Sequence, residues 1–305
     1  MFSLFKKKSK AQVVGLEVRS SGIALAVASK NEGKNALITL CDYRECNAAE
    51  RVSVLESLVE EHGLDGATCR VVLPADQYRV YPIEKPKVEE SELVDAVRWK
   101  LKDLLDYDVN DAVLDVYDFP QDALKGRPEQ VNVVSSRSAL IQDTVNLVNK
   151  SGLELETIEI SELAIRNIAL RLAGDDQRPV AVLYLRHGAG MIVLVKGDTL
   201  YFSRHFDFSL QALNDVAQQN SVIQQLSLEI QRSFDYFESQ MAQVPPQTVA
   251  LMGPAPNMPL ANMLGGSIGA RVEPLDMSLF MQDEANLGLE EIQAFVALAS
   301  ALREG

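Results

Sequence analysis

Apolar residues fall into two kinds of run along this chain: short aliphatic stretches, and longer stretches with a three-to-four spacing. Residues 13–18 and 23–27 are aliphatic and are parted by Arg19-Ser20-Ser21-Gly22, the pattern of a tight hairpin between half-buried strands. Residues 180–185 and 191–195 repeat that pattern around Arg186-His187-Gly188. A third strand is expected after each hairpin, over 36–41 and 199–206, so the two openings predict a duplicated domain plan. The first half continues with a helix over 50–61, whose Val52, Leu55, Leu58 and Val59 share a face, and a buried-type strand over 69–73 that stops at Pro74.

Between residues 78 and 136 the texture changes. A strand over 78–83 leads to Pro86 and an acidic first turn (Glu89, Glu90, Glu92), and Leu93, Val97, Leu101 and Leu104 mark the stripe of the helix that follows. Strands over 113–119 and 131–135 flank a loop at 120–128. A helix over 138–150 closed by Gly152, a strand over 155–160 and a helix over 162–172 return the chain to the first unit, and 174–179 reads as a linker. In the second half Asn220 is placed as an N-cap. Ile223, Leu226, Ile230, Phe234, Phe237 and Met241 then recur at helical spacing until Pro245-Pro246. A strand over 248–252, a loop over 253–259, a short helical piece over 260–264 and a small-residue helix over 292–302 complete the chain. The reading is an α/β chain with a basic tail at 1–10 and a first domain from 11–75 and 151–175. A small α+β insert occupies 76–150, and a second domain runs over 176–305.

The 305 residues carry a formal net charge of −14, which leaves no basic field to collect phosphate backbones, so a nucleic-acid partner is not expected. No apolar run reaches the roughly 18–20 residues that span a bilayer, and MFSLFKKKSK puts its lysines after the apolar residues, so neither export nor a membrane span is expected. Cys41, Cys46 and Cys69 are in no zinc or CxxC spacing, which suits a reducing cytoplasm without disulfides. His62, His187 and His205 form no HExxH pair, and no GxSxG elbow precedes a helix, which argues against zinc and serine hydrolases. A Walker A loop is absent. Gly15 lies inside the first strand and opens no GxGxxG turn, so P-loop and Rossmann plans are not expected.

The remaining phosphate-binding plan that fits two strand-hairpin openings is the actin and sugar-kinase one, a ribonuclease H-like duplicated α/β fold. In that plan the two turns clasp phosphates through backbone N–H groups. The order of strand GLEVRSSGIALAV, the Val97-Arg98-Trp99-Lys100 helix, strand VLYLRHGAGMIVLV, the helix EIQRSFDYF beginning at Glu229 and the loop Met252-Gly253-Pro254-Ala255-Pro256 resembles the PilM family of type IV pilus assembly proteins. The form found with mannose-sensitive haemagglutinin (MSHA) pili is the nearest in pattern, and the likeness covers almost the whole chain.

The resemblance implies an actin-like fold at the inner face of the bacterial inner membrane and ATP bound between two halves. It also implies a groove, formed by the insert and the first domain, that takes the cytoplasmic N-terminal peptide of a PilN-like membrane protein. The assembly ATPase and platform protein of the pilus machine are further implied partners. The nucleotide-cleft residues carried over are Glu17, Arg19, Ser20 and Ser21 at the first turn and Tyr184, Arg186, His187 and Gly188 at the second. Glu229 and Arg232 on the long helix and Gly253 and Pro254 in the late loop complete that set. The departures are specific. Where the family has an Asp followed two residues on by Gly, this chain has Glu17 and Arg19; Asp-Ile-Gly is replaced by Tyr184-Leu185-Arg186, and a triple glycine by Gly253-Pro254-Ala255. Losing the second acid removes a Mg²⁺ contact, and arginine, proline and alanine crowd places where backbone approaches the nucleotide. The expectation is a non-catalytic scaffold that requires no cofactor. The alternative is an ATP·Mg²⁺-binding switch whose nucleotide state controls the partner groove.

Two local alternatives stand. Arg19 and Arg186 either face an anion, as guanidinium groups pair well with phosphate, or point outward, or form ion pairs with Glu17 or another carboxylate. Arg98, Trp99, Leu104, Leu105 and Tyr107 either line the partner groove, or Trp99 closes the insert's small core. In the tail, Phe2, Leu4 and Phe5 with Lys6, Lys7, Lys8 and Lys10 either meet anionic lipid, at about 1 kcal/mol per lysine, or bind a partner, or stay unstructured.

Overall fold

In the computed structural model, residues 12–29, 35–174, 176–186, 188–253, 259–282 and 289–303 are described. The basic tail, His187 and Pro254 lie outside them. The chain opens with strands β1 (Gln12–Arg19), β2 (Gly22–Ser29) and β3 (Leu37–Glu45), helix α1 (Arg51–His62) and β4 (Thr68–Leu73). Then follow β5 (Tyr78–Glu84), α2 (Leu93–Leu101), β6 (Ala112–Asp118), β7 (Gln130–Arg137), α3 (Ser138–Lys150), β8 (Glu154–Ile160) and α4 (Ser161–Ala173). The rest is β9 (Val180–Arg186), β10 (Ala189–Lys196), β11 (Thr199–Phe206), α5 (Leu210–Asn214), α6 (Gln219–Ser239), β12 (Thr248–Met252), α7 (Leu260–Gly265), β13 (Arg271–Pro274), α8 (Leu289–Gln293) and α9 (Phe295–Ala301).

The duplicated plan is present in the hydrogen bonding. One sheet has the order β3-β2-β1-β4-β8 and the other β11-β10-β9-β12-β13, each an antiparallel three-stranded meander continued by parallel strands. The second hairpin turns at Gly188, whose φ of +83° is open to glycine at little cost.

The chain divides into two compact units. The first takes residues up to Leu73, Val145–Asn167 and those from Asp276 on; the second takes Pro74–Thr144 and Ile168–Leu275. In the first unit, Leu16, Ile23 and Leu25 pack with Leu55, Leu58 and Val59 of α1 and with Val148 of α3. The other face of this sheet is covered by α9, which packs on β1, β2 and β4. A Cβ at Gly15 would collide with the carbonyl oxygen of Ala297, so the absent side chain is what lets α9 lie this close. Beside α9, the Ser300 hydroxyl donates to the buried Glu159 carboxylate at 2.5 Å, and Arg303 stands 3.9 Å away. Burial pushes the Glu159 carboxyl above its usual range. The sequence reading gives residues 276–305 to the second domain. The described residues from Asp276 on instead complete the first unit, because the apolar face they cover belongs to the first sheet.

In the second unit, α6 lays Ile223, Leu226, Ile230, Phe234 and Phe237 against Leu183, Leu185, Ile192 and Leu194 of its five-stranded sheet. The insert is a three-stranded sheet of order β5-β7-β6 whose core is Leu93, Val97 and Leu101 of α2 with Leu114, Val131 and Val133. Its 119–127 loop is tied to the five-stranded sheet. Ala123 joins the latter's core, and Asp122 accepts hydrogen bonds from the Tyr201 hydroxyl (2.7 Å) and Gln243 (3.2 Å) with Lys196 at 3.4 Å. Burial alone would raise the Asp122 carboxyl, but those donors hold it below its usual value.

Candidate functional site

Helix α2 has two faces. Leu93, Val97 and Leu101 recur every four residues and turn to the β-sheet, so Trp99, two residues beyond Val97, stands on the opposite side. It is 74% exposed. The only tryptophan of the chain therefore does not close the insert's core. With Arg98, Lys102, Tyr107, Asp108, Val109 and Asn110 it lines a pocket of about 450 Å³, inside the roughly 300–1,000 Å³ range of ligand pockets.

The walls are braced locally. Arg98 donates to the carbonyls of Val109 (2.9 Å) and Ala112 (3.1 Å), pinning the turn after α2 to the helix. The Asp108 carboxylate accepts from the Asn110 backbone N–H at 2.9 Å and caps that turn. Tyr107 shares a hydrogen bond of 2.7 Å with Ser135, and the Arg137 guanidinium lies 4.1 Å above its ring. Of the residues the sequence singles out for a groove, Arg98, Trp99 and Tyr107 come together here. Leu104 is half exposed nearby in the chain, and Leu105 packs on the insert's core. Lys102, Asp108, Val109 and Asn110 were missed, since a turn with one apolar residue gives no periodic signal.

The sequence-derived nucleotide residues are spread over both units. In the first, Glu17 and Arg19 sit on β1 and are both buried, with the guanidinium 2.5 Å from the carboxylate. Arg19 also donates to the Gln293 side chain at 2.9 Å and to its backbone carbonyl, and Tyr43 lies under it at 5.5 Å. Of the readings of Arg19, the ion pair with Glu17 is what the geometry shows. The hydroxyls of Ser21 and Tyr43 meet at 3.1 Å, beside Ser20 in the exposed turn. In the second unit, Tyr184 is buried in β9, Arg186 ends that strand half-buried, and Gly188 donates its N–H to Phe208 at 3.0 Å. Glu229 is held between Arg204 and Arg232, each at 3.2 Å, and Gly253 follows β12.

Among the described residues no group of three His, Cys, Asp or Glu side chains could hold a metal ion, and no helix is long and apolar enough to cross a membrane. No protein-family model matches the chain, and no curated protein matches its sequence. Solved structures do match in fold. A chain of a PilM–PilN type IV pilus biogenesis complex superposes with a TM-score of 0.74 at 21% identity, over 95% of this chain and 97% of that one. The cytoplasmic domain of EpsL, an inner-membrane component of the type II secretion system of Vibrio cholerae, gives 0.59 at 14% identity over 96% of each. A Bacteroides thetaiotaomicron protein described as having an actin-like ATPase fold and unknown function gives 0.51 at 12% identity, over 97% of this chain and 98% of that one. The fold of this chain is thus the actin-like one.

Proposed function

We propose that this protein is a PilM-like scaffold of a type IV pilus assembly platform, of the MSHA kind, which holds the cytoplasmic N-terminal tail of a PilN-like inner-membrane protein. The observation that carries the reading is the end-to-end match to a chain of the PilM–PilN complex. The exposed Trp99 and its pocket support it, since a tryptophan left in solvent beside a concavity has the makings of a binding hot spot. Binding such a tail would keep the protein at the inner face of the inner membrane, near the assembly ATPase and platform protein.

On this reading the protein does not hydrolyse ATP. The support is chemical: the Glu17 carboxylate is engaged by Arg19, and Tyr184 stands where the family has its second acid. Titrating the purified protein with the cytoplasmic N-terminal tail peptide of a PilN-like inner-membrane protein tests the scaffold, and absence of binding would sink it. Melting with and without millimolar ATP and Mg²⁺ tests the cleft. A ligand at 100 times its Kd adds about 2.7 kcal/mol to the native state, so a shift of several degrees would replace the scaffold with a nucleotide switch.

A further inference from the structure

The insert is joined to the rest of its unit by more than the chain. Its 119–127 loop reaches the five-stranded sheet and the C-terminal end of α6, and three kinds of contact hold it there. Ala123 is fully buried in the core made by that sheet and α6, with Phe119 packed beside it. The Asp122 carboxylate takes hydrogen bonds from Tyr201, Gln243 and Lys196, and Lys196 also donates to the Gln243 side chain at 2.7 Å. The Arg127 guanidinium spans the joint. Within the loop it donates to the carbonyls of Ala123 (3.2 Å) and Leu124 (3.3 Å), and across the joint to that of Gln240 at 2.7 Å. Gln240 caps α6, so this cation sits at the negative end of the helix and satisfies a carbonyl that the helix leaves open.

Holding the loop in this shape has a cost. Lys125 has φ +36° and Gly126 φ +84°, a left-handed backbone that is nearly free for glycine and strained for lysine. Asp122 and Arg127 are themselves exposed. One small apolar plug and exposed polar ties, set against local strain, make an element that opens at low cost compared with the sheets it connects. We infer that the 119–127 loop is a strap with two states: docked, it makes the insert and α6 one mechanical body, and released, it frees the insert from the five-stranded sheet. It leaves from β6 and returns into β7, the strands against which α2 packs, so a change in the seating of α2, the helix of Trp99, is passed to the strap. At its other end is α6, the helix of Glu229 and Arg232. Both helices bias the same two-state element and therefore each other. The coupling goes beyond the scaffold reading, because it holds whatever the insert binds.

Hydrogen exchange followed by mass spectrometry on the full-length protein tests the strap. Ala123→Glu removes the apolar plug, whereas Tyr201→Phe with Arg127→Met removes polar ties and leaves Ala123 in place. Either change should speed exchange over 119–127 and over 236–243 about tenfold and leave β1, β2 and β4 unaltered. Val97→Ala, which loosens the insert from inside its own core, measures the coupling. With the strap intact it should speed exchange over 236–243 at least threefold, and with the strap released it should have no effect there. The inference is overturned if Val97→Ala leaves 236–243 unchanged in the otherwise unaltered protein, or if its effect survives release of the strap. Should Ala123→Glu fail to fold, the Tyr201→Phe, Arg127→Met protein decides alone. None of these readouts involves a tail peptide, so failure of the strap and failure of the scaffold reading are separate results.

Discussion

Replacing Trp99 with alanine separates binding from folding, because so little of this side chain is used by the fold. A tryptophan buries about 150–250 Å² when fully covered, and Trp99 keeps 74% of its surface in solvent. Roughly 110–185 Å² is thus available to a partner, and at about 25 cal/mol per Å² that is worth about 3–5 kcal/mol if all of it is covered. Incomplete cover and the area kept by alanine lower the expected loss to about 2–3 kcal/mol, a reduction in affinity of roughly 30- to 150-fold. The quarter already buried amounts to roughly 40–65 Å², or about 1–1.5 kcal/mol of stability on the same scale. Isothermal titration with the partner's tail peptide, beside a melt followed by circular dichroism, measures both. An affinity loss below about threefold, or a fall in melting temperature beyond roughly 5 °C, would refute the assignment of Trp99 to recognition.

Gly15→Ala places a methyl group against the Ala297 carbonyl and should destabilise the protein by about 1–3 kcal/mol or more, read as a lower urea midpoint; an unchanged midpoint would mean α9 is not seated on β1. Glu159 holds its proton more tightly in the folded state than unfolded, so it weakens the fold progressively as pH rises from the ordinary glutamate value through its raised one. Glu159→Gln lacks that liability, and its melting temperature relative to the unaltered protein should increase across the same interval; a pH-independent difference would count against the burial argument. Arg19→Gly leaves the Glu17 carboxylate buried without its guanidinium and should cost about 3–5 kcal/mol in chemical denaturation, most of it regained when Glu17 is changed to leucine and Arg19 to methionine together. A pair of changes no more stable than Arg19→Gly alone would show that the loss has another origin.

Much of this fold is written locally. The two hairpins are legible because aliphatic runs of matching length flank Ser20-Ser21 and Gly188, and α6 because one apolar stripe persists over its length. Strand β13 was not, since only Val272 of its residues is buried and an outer strand needs little more. Helix α5, Leu210–Asn214, is too short to show a period, and the single helix expected over 292–302 is broken at Ala294 into α8 and α9. The placement of the residues from Asp276 on depends on a contact with the first strand, far away in the chain. Gly15, a glycine in an otherwise aliphatic strand, was its one local trace. At the site, the sequence reading leaves Trp99 open between groove and core, and it is its exposure on the side of α2 away from Leu93, Val97 and Leu101 that decides for the surface; the contributions of Lys102, Asp108 and Asn110 depend on how a turn folds back on Arg98, which no period encodes.

The seating of α9 on β1, β2 and β4 sets an order on biosynthesis. The strands of the first sheet leave the ribosome before the helix that roofs them, with the second unit in between. Domains generally fold as units while the chain is still growing, and the stretch from Pro74 to Leu275 contains every strand of the second unit before that roof exists. The first sheet is therefore made before the second unit and roofed only after it, and a nascent chain arrested before residue 295 would present the uncovered apolar face of that sheet to chaperones and proteases.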